Sequence, residues 1–330
     1  MERPYLLFLG DARDDLAAKS ARGIFEWRRD WCLGQYWLDG CRTRLDLPEM
    51  RPEEAVAAGA KTLVIGVANA GGFIPDSWVG AIVGALGAGL DVASGLHMRL
   101  SDIAPVREAA ERHGRRLIEV RQPTREFSVG TGVKRSGKRL LTVGTDCSCG
   151  KMYAALALEK EMRARGIAAD FRATGQSGIF IAGEGVAIDA VVADFISGAV
   201  EWLTPDNSPE HWDLIEGQGA LFHPSYAGVS LGLLHGAQPD ALVLCHEPTR
   251  AHMRGLPDRP LPDLRVTIEA NVAAARLTNP AARSVGVGID TSRLEPTAAR
   301  KLLESTEDEL GLPCVDPMVE GVGRIVDALL

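Results

Sequence analysis

The segment Arg139–Gly144 (RLLTVG) is a short apolar run ending on glycine. It leads straight into Thr145-Asp146-Cys147-Ser148-Cys149-Gly150-Lys151-Met152. Beyond Lys151 the apolar residues Met152, Ala155, Leu156, Leu158 and Met162 fall mostly three and four apart, the spacing of a helix with one buried face. A buried strand, a turn of small residues and a helix in succession predict the βα unit of a parallel sheet. Such a turn leaves the first N–H groups of the helix free to meet an anion, and Lys151 brings a positive charge to the same point. The plain alternative is a glycine-containing turn followed by a surface lysine.

A second segment, Gly132–Lys138 (GVKRSGK), fits the G-x-x-x-x-G-K pattern letter for letter. Context rejects it, because a phosphate loop must open a helix, and Lys138 is followed by the strand RLLTVG. The Gly144–Met152 loop departs from nucleotide triphosphatases in two ways. Five residues separate Gly144 from Gly150, one more than the usual spacing. Met152 also stands where a Ser or Thr would hold Mg²⁺, and its thioether is a poor partner for a hard cation. The loop therefore suits binding a phosphorylated cofactor better than cleaving one, and the pyrophosphate and 3′-phosphate of coenzyme A would fit it.

The rest of the chain repeats the strand–helix alternation. In the first half, strands are predicted at Tyr5–Gly10, Thr62–Ala68, Asp91–Leu96 and Arg116–Val120, and helices at Pro52–Ala60, Pro75–Gly89 and Ala104–His113. In the second half, strands are predicted at Arg139–Gly144, Ala168–Ala173, Asp213–Gly217, Ala241–Cys245 and Ser284–Ile289. Helices there are expected from the loop to Arg165, and at Val186–Leu203, Tyr226–Leu234, Val266–Leu277, Pro296–Leu310 and Val319–Leu330. The polar, Gly-rich stretch from Gln122 to Lys138 breaks the rhythm. The division expected is residues 1–125, a connection over 126–138, and a cofactor-binding domain over 139–330.

Composition narrows the function classes. The chain has 330 residues with 46% hydrophobic and 24% charged residues, which suits a globular protein rather than a disordered one. A formal net charge of −8 argues against nucleic acid. The one basic run, Arg115, Arg116, Arg121, Arg125, Lys134, Arg135, Lys138 and Arg139, reads as solvated strand and linker surface. No apolar stretch approaches the length of a membrane helix, and the N-terminus has no signal-peptide pattern. Six cysteines in a chain this long do not make a disulfide framework, so a cytoplasmic protein is expected. A zinc site from Cys147, Cys149, Cys245 and His246 lacks any C-x-x-C pairing, and no metal is expected. With only 5% aromatics and large Ala/Val/Leu surfaces, a homo-oligomer is expected.

Several separated motifs carry a resemblance: GTDCSCGKM, TGQSGI (Thr174–Ile179), DAVVADFISGAVE (Asp189–Glu201), EGQG (Glu216–Gly219), HPSYAG (His223–Gly228), CHEPTR (Cys245–Arg250), LGDA (Leu9–Ala12) and SGLH (Ser94–His97). Together they resemble, over nearly the whole chain, a bacterial two-domain P-loop family whose characterised members are D-glutamate N-acetyltransferases. The family loop usually reads C-[ST]-V-G-K-M, and Cys149 takes the Val position here. The resemblance implies two doubly wound α/β domains with parallel sheets, an N-terminal Rossmann-like one and a C-terminal P-loop NTPase-like one. It also implies acetyl-CoA as co-substrate, a small acidic amino acid as acceptor, and a homo-oligomer. The second half is also similar to dethiobiotin synthetase-like proteins, so an ATP-dependent kinase or ligase is the alternative, and a CoA- or nucleotide-binding regulatory module is the non-enzyme one.

Acetyl transfer to an amine needs a proton acceptor, N–H donors for a developing oxyanion, and cationic partners for carboxylates and phosphates. Glu216, at the end of the strand DLIEG, and His223 in FHPSY both fall at the carboxyl edge of the sheet and are the expected catalytic residues. Arg250 and His246, after the strand ALVLC, and Gln176, on a Gly-flanked turn, are expected to bind substrate. Asp189 and Asp194 are read as sharing one helix, five apart. Gly144, Thr145, Asp146, Cys147, Ser148, Cys149, Gly150, Lys151 and Met152 are expected to hold the cofactor. Cys147 and Cys149 beside Lys151 leave a covalent acyl-enzyme open.

Overall fold

A computed structural model of the chain describes every residue except Leu16, Ala70 and Thr124. The chain divides into two compact units, Met1–Thr124 with Gln176–Ala187, and Arg125–Gly175 with Ile188–Leu330.

The first unit is a five-stranded, all-parallel sheet. Its strands are β1 (Tyr5–Gly10), β2 (Cys32–Trp37), β3 (Thr62–Ile65), β4 (Asp91–Ser94) and β5 (Leu117–Glu119), in the order β2-β1-β3-β4-β5. Helices α1 (Lys19–Trp27), α2 (Pro52–Ala57), α3 (Asp76–Ala88) and α4 (Ala104–His113) make the crossovers. β1, β3 and β4 are buried along their whole length, as strands covered on both faces must be. Right-handed crossovers place α1 alone on one face and α2, α3 and α4 on the other. α1 and β2 carry no prediction from the sequence, because KSARGIFEW has a glycine in mid-helix and CLGQYW shows no clean alternation.

The second unit opens with β6 (Lys138–Gly144) and α5 (Lys151–Ala164), followed by β7 (Ala169–Arg172). The next element, α6 (Gln176–Ala182), packs against α1 in the first unit and joins it on the otherwise bare face. Sequence reading takes this segment as a turn; it is a short helix bounded by Gly175 and Gly183, grouped by its contacts with the first unit. Then come α7 (Ile196–Leu203), β8 (Trp212–Ile215), α8 (Ala227–Ala237), β9 (Ala241–His246), α9 (Leu264–Arg276), β10 (Arg283–Ile289), α10 (Pro296–Leu310), β11 (Cys314–Val315) and α11 (Gly323–Leu329). The sheet order is β11-β10-β9-β6-β8-β7, all parallel. β6 therefore lies between β9 and β8, and the chain leaves it toward β7 while every later crossover runs the other way. This reversal opens a crevice at the carboxyl end of β6.

The structure departs from the expected elements in two places. The helix expected over Val186–Leu203 begins only at Ile196; Asp189 and Asp194 lie in separate 3₁₀ turns, on either side of the β-branched pair Val191-Val192. The basic run is not all solvated. Arg121, Arg135 and Arg139 are buried, and Arg139 is fully so. Arg135 Nη2 donates to the carbonyl of Gly236 at 2.7 Å, near the end of α8, and Arg139 Nη1 to that of Ser136 at 3.2 Å. These two buried guanidiniums tie the connecting stretch to the second sheet. Among the described residues no helix is long and apolar enough to cross a membrane.

Candidate active site

Three neighbouring strands of the second unit end at the same edge of the sheet, β8 three residues short of β6. Gly144 of β6 pairs with Cys245 of β9, which brings Thr145 beside His246; on the other side Leu141 pairs with Ile215 of β8, one residue before Glu216. Strand register alone therefore gathers the loop, the histidine and the carboxyl at one edge of the sheet.

Gly150 caps α5 with φ +94°, a conformation that releases the chain from the loop into the helix at little cost only for glycine. The N–H groups of Ser148, Gly150, Lys151 and Met152 make no hydrogen bond to a described residue. A row of N–H groups at a helix start is an anion cradle. Lys151 is buried, and its Nζ donates to the Asp146 carbonyl at 2.7 Å and lies 3.7 Å from Cys149 Sγ. A Cβ on Gly217 would fall 1.8 Å from the Thr142 carbonyl and 2.9 Å from Lys151 Cδ, so only glycine lets the chain after β8 run this close to β6 and the lysine stem.

Glu216 is buried. Its Oε2 accepts N–H bonds from Thr174 at 2.9 Å and Gly175 at 3.0 Å, and its Oε1 accepts from Gln218 Nε2 at 3.3 Å. Burial pushes its pKa up to about 7, against the N–H bonds from Thr174 and Gly175 and the charge of Lys151, with Asp189 adding to the rise. A carboxyl with a pKa near the working pH is suited to take up and return a proton.

His246 Nδ1 is 3.0 Å from Thr145 Oγ1, and its Nε2 makes no hydrogen bond to a described residue. Burial lowers its pKa, so near pH 7 the imidazole is neutral. His223 is placed differently. Its Nδ1 accepts the Ser225 N–H at 3.2 Å, which leaves Nε2 as the donor to the Arg254 carbonyl at 3.1 Å. Both nitrogens are taken by backbone, and the ring stacks on Tyr226 at 4.5 Å.

Arg250 binds the loop rather than open space. Nη1 donates to Asp146 Oδ2 at 2.8 Å and to the Cys147 carbonyl at 2.6 Å, Nη2 to the Ser148 carbonyl, and Nε to Glu247 Oε2 at 3.0 Å. Asp146, fully buried, also accepts the N–H groups of Cys147 and Arg254. Cys149 is buried under the loop, its Sγ donating to the carbonyls of Asp146 at 3.1 Å and Cys245 at 3.3 Å. Burial raises the Cys147 thiol, opposed by Lys151, so it is protonated at neutral pH and a poor nucleophile.

The structure thus brings together residues 144–152, Glu216, His246 and Arg250, and links His223 to them through Arg254. Gln176 belongs to the first unit, where a Cβ on Gly95 would fall 2.8 Å from its Cβ. Sequence reading missed Arg254 and Glu247. Glu247 lies within the quoted CHEPTR motif, whereas Arg254 sits in an irregular segment with no periodicity to flag it.

Comparison with known proteins agrees with this architecture. Residues 127–326 match the P-loop domain, and residues 35–123 the Rossmann-like domain, of the family DUF1611, described as a domain of unknown function. A D-glutamate N-acetyltransferase of Tritonibacter scottomollicae is 56% identical over 329 residues, covering 100% of this chain and 99% of that one. A protein of the same name from a Pseudoalteromonas species is 50% identical over 323 residues, covering 98% and 97%. The crystal structure of a DUF1611 family protein from Anabaena variabilis superposes with a TM-score of 0.88 at 30% identity over 99% of each chain.

Proposed function

The chain belongs to the D-glutamate N-acetyltransferase family and is an N-acyltransferase; from that premise we propose that it transfers the acetyl group of acetyl-CoA to the amino group of D-glutamate, as a step in D-amino-acid breakdown. The observation that carries this reading furthest is the combination of an anion cradle that ends in Met152 with a buried carboxyl of pKa about 7 beside it.

The residues fit a phosphorylated acyl donor. The N–H groups at the start of the α5 helix and the Lys151 ammonium offer hydrogen bonds and charge to phosphate, and the Met152 side chain, a thioether, is a poor ligand for a hard cation, so the reading invokes none. When bound, acetyl-CoA supplies an activated acetyl carbonyl and a thiolate leaving group. Lys151 moves from the Asp146 carbonyl to the ligand. Glu216, ionised, accepts the proton that the substrate ammonium must shed before its nitrogen can attack. Neutral His246, held at Nδ1 by Thr145, presents Nε2 to take the second proton, the one the nitrogen sheds once it has attacked, and passes that proton to the departing sulfur. His223 we assign to holding the Arg254 segment in place. No cysteine is used: Cys147 is held as a thiol, and Cys149 is buried with its Sγ engaged.

The test is product identification. Purified protein incubated with acetyl-CoA and D-glutamate should yield N-acetyl-D-glutamate by mass spectrometry with chiral separation. Absence of that product with a folded protein, or product from L-glutamate alone, contradicts the proposal.

A further inference from the structure

Two arginines reach the phosphate loop, and they differ in charge balance. Arg250 is matched by two carboxylates, Asp146 and Glu247, at 2.8 and 3.0 Å, so its charge is largely satisfied within the protein. Arg254 forms no ion pair with a described carboxylate. Its side chain is exposed, and its Nη1 donates to the hydroxyl of Ser148. Its backbone is fixed at both ends of the residue: the N–H is bound by Asp146 Oδ2 at 2.8 Å, and the carbonyl accepts from His223 Nε2 at 3.1 Å.

Ser148 is where the row of open N–H groups begins. It adopts φ +50°, the left-handed region that a serine enters only when its surroundings hold it there. The Arg254 guanidinium, with no carboxylate partner among the described residues, therefore stands at the outer end of the cradle, and Lys151 at the inner end. One phosphoryl group is served by the N–H row and the lysine. A further cation beyond that row has nothing to neutralise unless the ligand carries charge there. A guanidinium suits this role because its fork binds phosphate oxygens in pairs.

We propose that Arg254, set at the mouth of the loop by Asp146, Ser148 and His223, binds a second phosphoryl group next to the one in the cradle, so that the site selects a diphosphate over a monophosphate. This deepens the acyl-donor reading and rests on it for the identity of the natural ligand. It also gives His223 a positioning role, acting through the Arg254 carbonyl rather than on the substrate.

The test measures binding of inorganic pyrophosphate and inorganic phosphate to the full-length protein by calorimetry, for the native chain, Arg254→Gln and Arg254→Lys. Loss of a charge-assisted bond predicts that Arg254→Gln weakens pyrophosphate binding about tenfold or more and changes phosphate binding by about twofold at most. Arg254→Lys should recover part of the loss. In turnover the KM for acetyl-CoA should rise by a similar factor, with kcat and the KM for D-glutamate unchanged. Equal weakening of pyrophosphate and phosphate, or an effect confined to the KM for D-glutamate, overturns the proposal. If the native protein binds pyrophosphate yet releases no thiol from acetyl-CoA, the acyl-donor reading fails by itself, and the two-anion comparison alone decides the role of Arg254.

Discussion

Arg250 Nη1 lies 2.8 Å from Oδ2 of Asp146, a carboxylate buried inside the phosphate loop. The ion pair fastens the segment after β9 across the outside of the loop, where the same guanidinium also takes the carbonyls of Cys147 and Ser148. The arginine that sequence reading assigns to a substrate is in this conformation a strap on the phosphate loop.

Arg250→Met leaves the Asp146 charge buried without its partner. Removing one member of a buried pair costs about 3–5 kcal/mol, and the 20% exposure of the Arg250 side chain puts this case near the lower end. Denaturant unfolding should show a loss of about 3 kcal/mol, and the KM for acetyl-CoA should rise because the loop is no longer held. Unchanged stability would mean the strap is dispensable.

Lys151→Ala should raise the KM for acetyl-CoA by about tenfold or more, the loss expected for a charge-assisted contact with phosphate, and leave the KM for D-glutamate unaltered. Initial rates with each substrate varied in turn separate the two. A rise for D-glutamate instead would place the amino acid, not the coenzyme, on the loop.

Much of the geometry of the candidate site is legible in the amino-acid sequence. The strand–loop–helix over 139–164 and the strands ending at Glu216 and His246 follow from short apolar runs closed by glycine or polar residues, and a parallel sheet converts those endings into one edge. The choice between the two G-x-x-x-x-G-K-like loops holds as well, since Lys138 is the first residue of β6. What stays hidden depends on contacts between segments far apart in the chain. Nothing local marks α6 as part of the first unit, and nothing in CHEPTR shows that Arg250 meets Asp146, 104 positions earlier. The burial of Arg139 within a polar-looking stretch is hidden for the same reason, because its partners are backbone carbonyls.

Glu216→Gln removes the proposed proton acceptor while keeping the side-chain size. We expect kcat to fall by about 10²- to 10⁴-fold, with the acetyl-CoA KM little altered. In the native protein kcat should rise with pH through about 7 as Glu216 ionises, and the variant should lose that limb. A retained limb would give the role to another group.

The same carboxyl makes a thermodynamic prediction. Its folded pKa, about 7, lies above the 4.5 of an unperturbed glutamate, so between those values the folded state holds a proton that the unfolded chain releases. Glu216 therefore costs no stability below about pH 4.5, and its penalty grows as pH rises to 7 and stays complete above it. The cost is on the order of 3 kcal/mol at about pH 8. Glu216→Gln should raise the unfolding free energy relative to the native protein at about pH 8 and not at about pH 4.5. An equal change at both pH values would contradict the shift.

Cys147→Ala and Cys149→Val should each keep kcat within about threefold of the native value, since the proposed route uses no activated thiolate. Loss of turnover in Cys147→Ala, with an unchanged melting profile, would restore the covalent route.

Acetyl transfer to D-glutamate is put to the sharpest test by thiol release from acetyl-CoA, followed with D-glutamate, L-glutamate or no acceptor, each with and without chelator. Release should depend on D-glutamate and persist in chelator. No release with any acceptor, together with Mg²⁺-dependent consumption of ATP in a parallel sample, would overturn the acyl-transfer reading and hand the loop to nucleotide chemistry.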